Sequence, residues 1–296
     1  MKVPNHRDVI QGYAKGDIAM AIIVNTNMSA IKTQNNLNNA TNLLNSALER
    51  MSTGLKINRA ADDAAGMYVA SSLETQIRGS KVAQSNVETG INVLSTVEGN
   101  LDVINDNLLR IRDLCVQAAN GVYDSNSYDA MQAEVDARLE EITRIQSSAE
   151  FNGTALFTAS TSGLGNTGLV LQVGANGTTN DKITADKTIF QTLANPSVTL
   201  DSAANASTAI GAVDAKIKDI ANRKAAIGAV QNRLTSAQAS LVTTIENASA
   251  AKSTIMDADI SQEAADFTKA QILQQTSATL LTQANQLPAL ALSLIQ

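Results

Sequence analysis

The chain has 296 residues, enough for one large or two modest domains; 44% are apolar but only 3% aromatic, with no Trp, so the core must be built from Leu, Ile, Val and Ala. A formal net charge of −6 offers nucleic acid no clustered Lys and Arg. The single cysteine, Cys115, excludes an intramolecular disulfide, and the single histidine, His6, leaves no basis for a His-ligated zinc site or a Ser-His-Asp arrangement.

Residues 1–19 carry Pro4, His6, Gly12 and Gly16, with no periodicity and no apolar signal-peptide core. They read as an extension or a flexible arm ahead of a start at Met20. From Met28 to about Gly54 a helical period runs through Leu37, Ala40, Leu44, Ala47 and Met51. Lys32 is the only charged side chain between Met20 and Leu48. Gly54 is placed to end this helix, and Asp62 and Asp63 to start the next. No further ligand-type cluster accompanies that acidic pair, so helix capping outweighs chemistry.

From Val87 to Val122 a heptad seam passes through Leu94, Val97, Leu101, Ile104, Leu108, Ile111 and Cys115, predicting a helix of roughly 50 Å. Cys115 on that seam reads as a buried small hydrophobe. Residues 121–127 (GVYDSNS) form a turn. A second helix follows, with Met131, Val135, Leu139, Ile142 and Ile145 on one face and Glu134, Arg138, Glu141 and Arg144 on the others. From Phe151 to about Ser202 glycines mark irregular chain. Residues 169–173 and 182–186, flanking GANGTTND, predict a hairpin, the only β structure expected.

Heptads return from Ser202 to Ala250 through Ile210, Val213, Ile217, Ile220, Ile227, Leu234, Leu241, Ile245 and Ala248. Lys224, Gln231 and Gln238 interrupt one column, the kind of polar insertion that sets register or faces a wet groove. Residues 257–263 alternate acids like a calcium loop, but Gln262 and Thr268 fail the pattern. Asp259 with Gln262 instead opens the last helix.

That last stretch, Gln271–Gln296, contains no Asp, Glu, Lys or Arg. Leucine recurs every seven residues at Leu273, Leu280, Leu287 and Leu294, with small residues between at Ser277, Ala284 and Ala291. The longest candidate membrane span, 278–296, is interrupted by Gln283, Asn285, Gln286 and Pro288. Both chain ends are thus leucine-ribbed, amide-rich and nearly uncharged, which predicts that they pack on each other. One narrow seam per helix cannot offset a backbone ordering cost of about 1–2 kcal/mol per residue. The expectation is that the ends are disordered in the free monomer and fold on assembly.

The residues MAIIVNTNMSAI (20–31), ERMSTGLKINRAADDAAGM (49–67), LLRIRDLCVQAANG (108–121), AEFNGTALF (149–157), LQVGANG (171–177), IMDADISQEAADF (255–267) and KAQILQQTSATLLTQANQLPALALSLIQ (269–296) resemble the signatures of bacterial flagellin. The resemblance implies a mainly α fold: a long coiled-coil-like helical hairpin rod with a short β-hairpin, both termini paired in an inner helical layer. Residues 20–62 and 255–296 would form that layer. Residues 63–254 would form the rod, with the β-hairpin near 169–186 and a minimal variable region at about 158–205. It implies a structural subunit that polymerises with itself into the flagellar filament for swimming, without enzymatic activity, cofactor or metal. It implies export unfolded through a flagellar type III apparatus with its chaperone, then a secreted, extracellular location beneath a cap and beyond junction proteins, with no nucleic-acid or membrane partner. The polymerisation seam would comprise Leu37, Leu44, Met51, Leu273, Leu280, Leu287 and Leu294. An innate-receptor surface for Toll-like receptor 5 would comprise Arg110, Leu114 and Glu134, with Leu109 and Cys115 departing from the family pattern. Three other readings remain at this stage: a hook–filament junction protein with similar ends, a membrane-active helical protein, and an enzyme with a hidden carboxylate site.

Overall fold

A computed structural model describes residues 26–159, 161 and 163–293, with side chains through Gln286; the expectations for residues 1–19 and for a start at Met20 lie outside them. The elements run α1 (Met28–Thr53), α2 (Ala64–Ala118), α3 (Ser125–Ser148), β1 (Glu150–Phe151), β2 (Thr154–Ala155), α4 (Gly163–Thr167), β3 (Leu169–Gln172), β4 (Lys182–Ala185), α5 (Ala203–Met256) and α6 (Ile260–Ser293). They form two compact units. One is made from both ends of the chain, up to Met67 and from Ile255; the other is Tyr68–Thr254.

Local chemistry sets the helix ends. The Asn27 side chain accepts a hydrogen bond from Ala30 N at 3.0 Å, and Gly54 closes α1 at φ +71°, its N–H donating to Arg50 O. The acidic pair divides its work. Asp63 Oδ1 accepts from Ala65 N and Gly66 N, opening α2. Asp62 Oδ2 reaches back to Asn58 N and Arg59 N, and those amides, Arg59 first, hold its carboxyl below the usual range. Asp124 caps α3 through Ser127 N, and Asp259 caps α6 through Ser261 N.

α2 has 55 residues, about 80 Å, against the 50 Å expected from residues 87–122. Its extra length begins at Ala64, where Ala70, Ile77, Ser80 and Ala83 are buried. Apart from Ile77 these are small residues, which continue the seam but carry too little hydrophobicity to announce it. In the Tyr68–Thr254 unit, Leu94, Leu101, Ile104, Leu108 and Ile111 of α2 share one aliphatic core with Val135 and Ile142 of α3 and Val213, Ile220, Ile227 and Leu234 of α5.

The polar residues interrupting the α5 seam are all partnered. Lys224 pairs with Asp102, Gln231 with Ser95 and Glu98, and Gln238 with Glu88. Arg112–Asp214 and Lys252–Glu74 lie on the same register. Each step forward on α2 is matched by an equal step back on α5, so the ladder fixes one antiparallel alignment.

Two features depart from expectation. A second two-stranded ladder exists, β1 with β2, with Phe151 opposite Thr154. Asn152 (φ +49°) and Gly153 (φ +74°) make its two-residue turn, so the Asn-Gly step in FNGTALF was a hairpin signal hidden by the shortness of the strands. The expected hairpin is also present, with Leu169 opposite Ala185 and Gln172 opposite Lys182. It lies against α2, where Leu171 occupies the space a Cβ at Gly90 would need and Asn86 Nδ2 donates to Gln172 O.

The stretch 158–205, expected as thin variable surface, also feeds the core: Ile189, Phe190, Leu193, Val198 and Leu200 are buried. Its extended part is held along α3 by two glutamines two heptads apart. Gln146 accepts from Leu193 N at 2.6 Å and donates to Leu193 O at 3.2 Å. Gln132 accepts from Leu200 N and donates to Val198 O. These amides replace the neighbouring strand the segment lacks.

Gln146→Leu is expected to lower the unfolding free energy by about 1–3 kcal/mol, because buried Leu193 N–H and C=O lose their partners; thermal unfolding measures it. Asp102→Asn, at an exposed rung, should leave the same measurement nearly unchanged. Glu74 is one contributor to the acid-side behaviour: Lys252 first and then Arg78 hold it down at about 2 against an ordinary 4.5. A depressed carboxylate stabilises the fold fully above 4.5, and that contribution is lost as pH falls toward 2. Denaturant unfolding across that range should show a smaller acid loss in Glu74→Gln.

Candidate assembly surface

The terminal unit is organised by two facing columns. On α1, Thr33, Leu37, Ala40, Leu44, Ala47 and Met51 follow a four–three spacing, with both alanines buried and the larger residues half-buried. On α6 the matching column is Glu263, Phe267, Ala270, Gln274, Ser277, Leu281 and Ala284, of which Glu263, Ala270, Ser277 and Ala284 are buried. The helices run antiparallel, cross-linked at Asn27 Nδ2 to Ala284 O (2.6 Å), Gln274 Nε2 to Thr41 Oγ1 (3.2 Å) and Arg50 to Glu263 (3.3 Å). An isolated bridge of Leu55 with Asp257 closes the base.

The leucine column of α6 is not the one turned toward α1. Leu273 and Leu280 are 41% and 49% exposed. The Leu287 side chain and Leu294 lie outside the described residues. α1 already supplies bulk at Leu37, Leu44 and Met51, so α6 answers with small side chains and the helices approach closely. The leucines are thereby displaced to an outer face, where Ile272, Leu273 and Leu280 form an apolar stripe. α1 exposes Met28, Ile31, Leu43 and Leu48. A groove of about 240 Å³ between the helices runs from Leu43 and Leu273 to Arg50, Asp266 and Lys269. Scattered exposed apolar residues are ordinary, but Leu43 and Leu48 on α1 with Ile272, Leu273 and Leu280 on α6 give both helices apolar surface that further helices can cover.

Of the expected receptor residues, two are on the surface of the Tyr68–Thr254 unit. Arg110 makes a two-point ion pair with Glu134, Nε–Oε1 2.9 Å and Nη2–Oε2 3.3 Å, and Arg138 joins the same carboxylate. Glu134 raises the Arg110 pKa, and Arg110 depresses that of Glu134. Leu114 must be corrected: it is 3% exposed, part of the aliphatic core, and presents nothing to a partner. It occupies an inward heptad position, which the motif match alone did not reveal. Leu109, 42% exposed, is the apolar residue adjoining Arg110 on the surface.

Among the described residues no group of three or more His, Cys, Asp or Glu side chains could hold a metal ion. No helix there is long and apolar enough to cross a membrane. Cys115 is fully buried, and burial pushes its thiol pKa up, away from nucleophilic character.

A family described as the bacterial flagellin N-terminal helical region matches residues 24–162, and one described as the bacterial flagellin C-terminal helical region matches residues 210–295. Flagellin FlaB2 of Treponema pallidum is 37% identical over 93% of this chain and all of its own length. A flagellin of Halalkalibacterium halodurans is 36% identical with the same coverage. A solved structure described as a flagellar hook-associated protein of Vibrio parahaemolyticus aligns with a TM-score of 0.54 over 66% of this chain and all of its own, at 17% identity, a likeness of fold.

Where α1 and α6 are paired, Ala270→Leu is expected to weaken the pairing by about 1–3 kcal/mol through overpacking of the close column. Leu280→Ala should leave it unchanged, because that side chain faces outward; amide exchange across residues 28–53 reads both.

Proposed function

Since the chain belongs to the bacterial flagellin family and is a structural subunit of the flagellar filament, we propose that its outward apolar stripe is where copies pack. Ile272, Leu273 and Leu280 of α6 and Leu43 and Leu48 of α1 remain 41–58% exposed in the single chain. A helix from a neighbouring copy buries them, at about 25 cal/mol per Å² removed from water. The flanking amides of residues 271–286 hydrogen-bond across such a contact without the desolvation cost of charges. A head-to-tail contact that does not close on itself extends into a helical polymer. The observation that carries this reading is the exposure of Leu273 and Leu280, 41% and 49%, outside the column of small residues that meets α1.

In the filament, residues 20–62 and 255–296 form the inner layer and 63–254 the surrounding rod. The ends gain full order on joining, since much of their apolar surface is left uncovered in one chain. The subunit has no catalytic role. It leaves the cell unfolded through a type III export route with its chaperone, adds beneath the cap beyond the junction proteins, and serves swimming motility outside the cell. Toll-like receptor 5 is a further partner, met at Arg110, Glu134 and Leu109; Arg110→Ala reduces that recognition by removing the bidentate pair. The filament reading is preferred to the junction protein because filament and flagellin sequences of several organisms match at 34–37% identity across nearly the whole chain.

Seeded polymerisation followed by electron microscopy tests the packing. Leu273→Gln with Leu280→Gln is expected to abolish filaments while leaving the thermal unfolding of the Tyr68–Thr254 unit unchanged. Normal filaments from that variant would refute the role of the stripe.

A further inference from the structure

The chain contains three Asn-Gly steps, Asn120–Gly121, Asn152–Gly153 and Asn176–Gly177. Each carries the same latent reaction. The glycine nitrogen, with no Cβ beside it, can add to Cγ of the asparagine side chain; the nitrogen gives up its proton and ammonia leaves. Water then opens the cyclic imide at either carbonyl. One opening leaves aspartate. The other leaves isoaspartate, with the side-chain methylene carried into the main chain. In sum an amide and a water become a carboxylate and an ammonium ion, and the chain supplies every reacting group except the water.

Local sequence ranks the three steps alike, and the fold separates them. At Asn152 φ is +49° and Gly153 follows at +74°; the two make the turn of the β1–β2 ladder, closed by Phe151 opposite Thr154 and by Leu156 N donating to Ala149 O. Bringing Gly153 N onto the Asn152 side chain would break that turn. Asn120 is tied to the end of α2 by its N–H on Gln117 O at 3.2 Å, and Gly121, at φ +66°, faces Ala203. Asn176 and Gly177 are exposed and lie outside the β3–β4 ladder, whose last pair is Gln172 with Lys182. Beyond the adjoining residues, no atom comes within 4 Å of where a Gly177 Cβ would stand.

The chain on either side of this step is anchored. Gln172 Nε2 donates to Gly174 O and Asn176 O, and Thr178 N donates to Asp181 Oδ2 at 3.3 Å. A donor on Asn176 O draws electrons from the Asn176–Gly177 peptide and makes the Gly177 N–H, whose proton must leave, more acidic. A groove of about 470 Å³ bordered by Tyr68, Ser72, Thr75 and Asn176 gives water access to the imide. We propose that Asn176 is a self-modification site, converted to aspartate and isoaspartate ahead of Asn120 and Asn152, with Gln172 as its positioning residue. The hairpin tip is seated tightly: Ala175 Cβ lies 2.9 Å from where a Cβ on Gly79 of α2 would stand. An extra main-chain carbon at the next residue lifts Ala175 from that seat, whereas a plain aspartate adds only charge. Because the ammonia is lost the change runs one way, and the contact between hairpin and α2 loosens with the age of the folded chain.

Full-length free subunit held in mildly alkaline buffer, then digested and mapped by mass spectrometry with isoaspartate scored separately, tests the site. In the folded chain, conversion at 176 should run about tenfold or more ahead of 120 and 152, and in denaturant the three should converge. Conversion at 120 or 152 as fast as at 176 in the folded chain would overturn the assignment. Gly177→Ala, whose Cβ enters open space, should slow conversion about tenfold at 176 alone. Gln172→Met should slow 176 several-fold and leave 120 and 152 unchanged; an unchanged or faster rate at 176 removes Gln172 from the mechanism. Amide exchange over residues 169–186 reads the consequence. It should be faster in the converted chain and unchanged in Asn176→Asp, which carries the charge on a normal backbone. Equal loosening in Asn176→Asp would refute the role of the added carbon.

Discussion

Apolar burial in this protein happens along columns, one per helix, and that constraint governs everything else. With almost no aromatic residues, no side chain spans the distance between layers. Each long helix must instead lie lengthwise against another and interdigitate aliphatic residues at heptad spacing. Whether a helix is satisfied by its own chain then depends on how many neighbours that chain supplies. α2 has α5, α3, the hairpin and the extended segment 191–200 around it, and its inward positions are fully buried. α1 and α6 have chiefly each other, and each keeps an uncovered apolar flank.

The two halves of the molecule also treat charge differently. In the Tyr68–Thr254 unit, ion pairs and amide pairs line the edge of the α2–α5 seam, mostly half-exposed, where they select an alignment at small energetic cost. Beyond Lys269 the terminal unit dispenses with charge altogether. That suits a surface bound for burial by other copies, since every charge carried there would need a matched partner from a neighbour. Near the base, Arg50, Glu263, Asp266 and Lys269 line the groove between α1 and α6, and Arg50 pairs with Glu263.

The region between residues 158 and 205 shows how polar side chains build structure without regular secondary elements. Gln132, Gln146 and Asn195 hold an extended chain by bonding to backbone groups or to Leu139 O, and Arg223 donates to Gln191 O. The Nε of Arg223 is buried without a hydrogen-bond partner among the described residues. The segment's apolar residues then fill the space beside α3 and α5, so a stretch rich in turn signals is structurally part of the rod core.

The sequence alone determined the long helices and the caps at Gly54, Asp63 and Asp259, which act through neighbours a few residues away, but the heptad seam announced only about 50 of the roughly 80 Å of α2. It also determined that both ends are uncharged and apolar, since composition needs no coordinates, and the family signatures carried the filament role. Tertiary structure alone decided which of the α6 columns faces α1, because leucine and alanine columns have the same period and only the bulk already present on α1 breaks the tie. It alone placed Leu114 inside and Arg110 with Glu134 outside, and it alone turned Gln132 and Gln146 into anchors. Those outcomes depend on partners 24 to 257 residues distant along the chain, and local spacing carries no record of them.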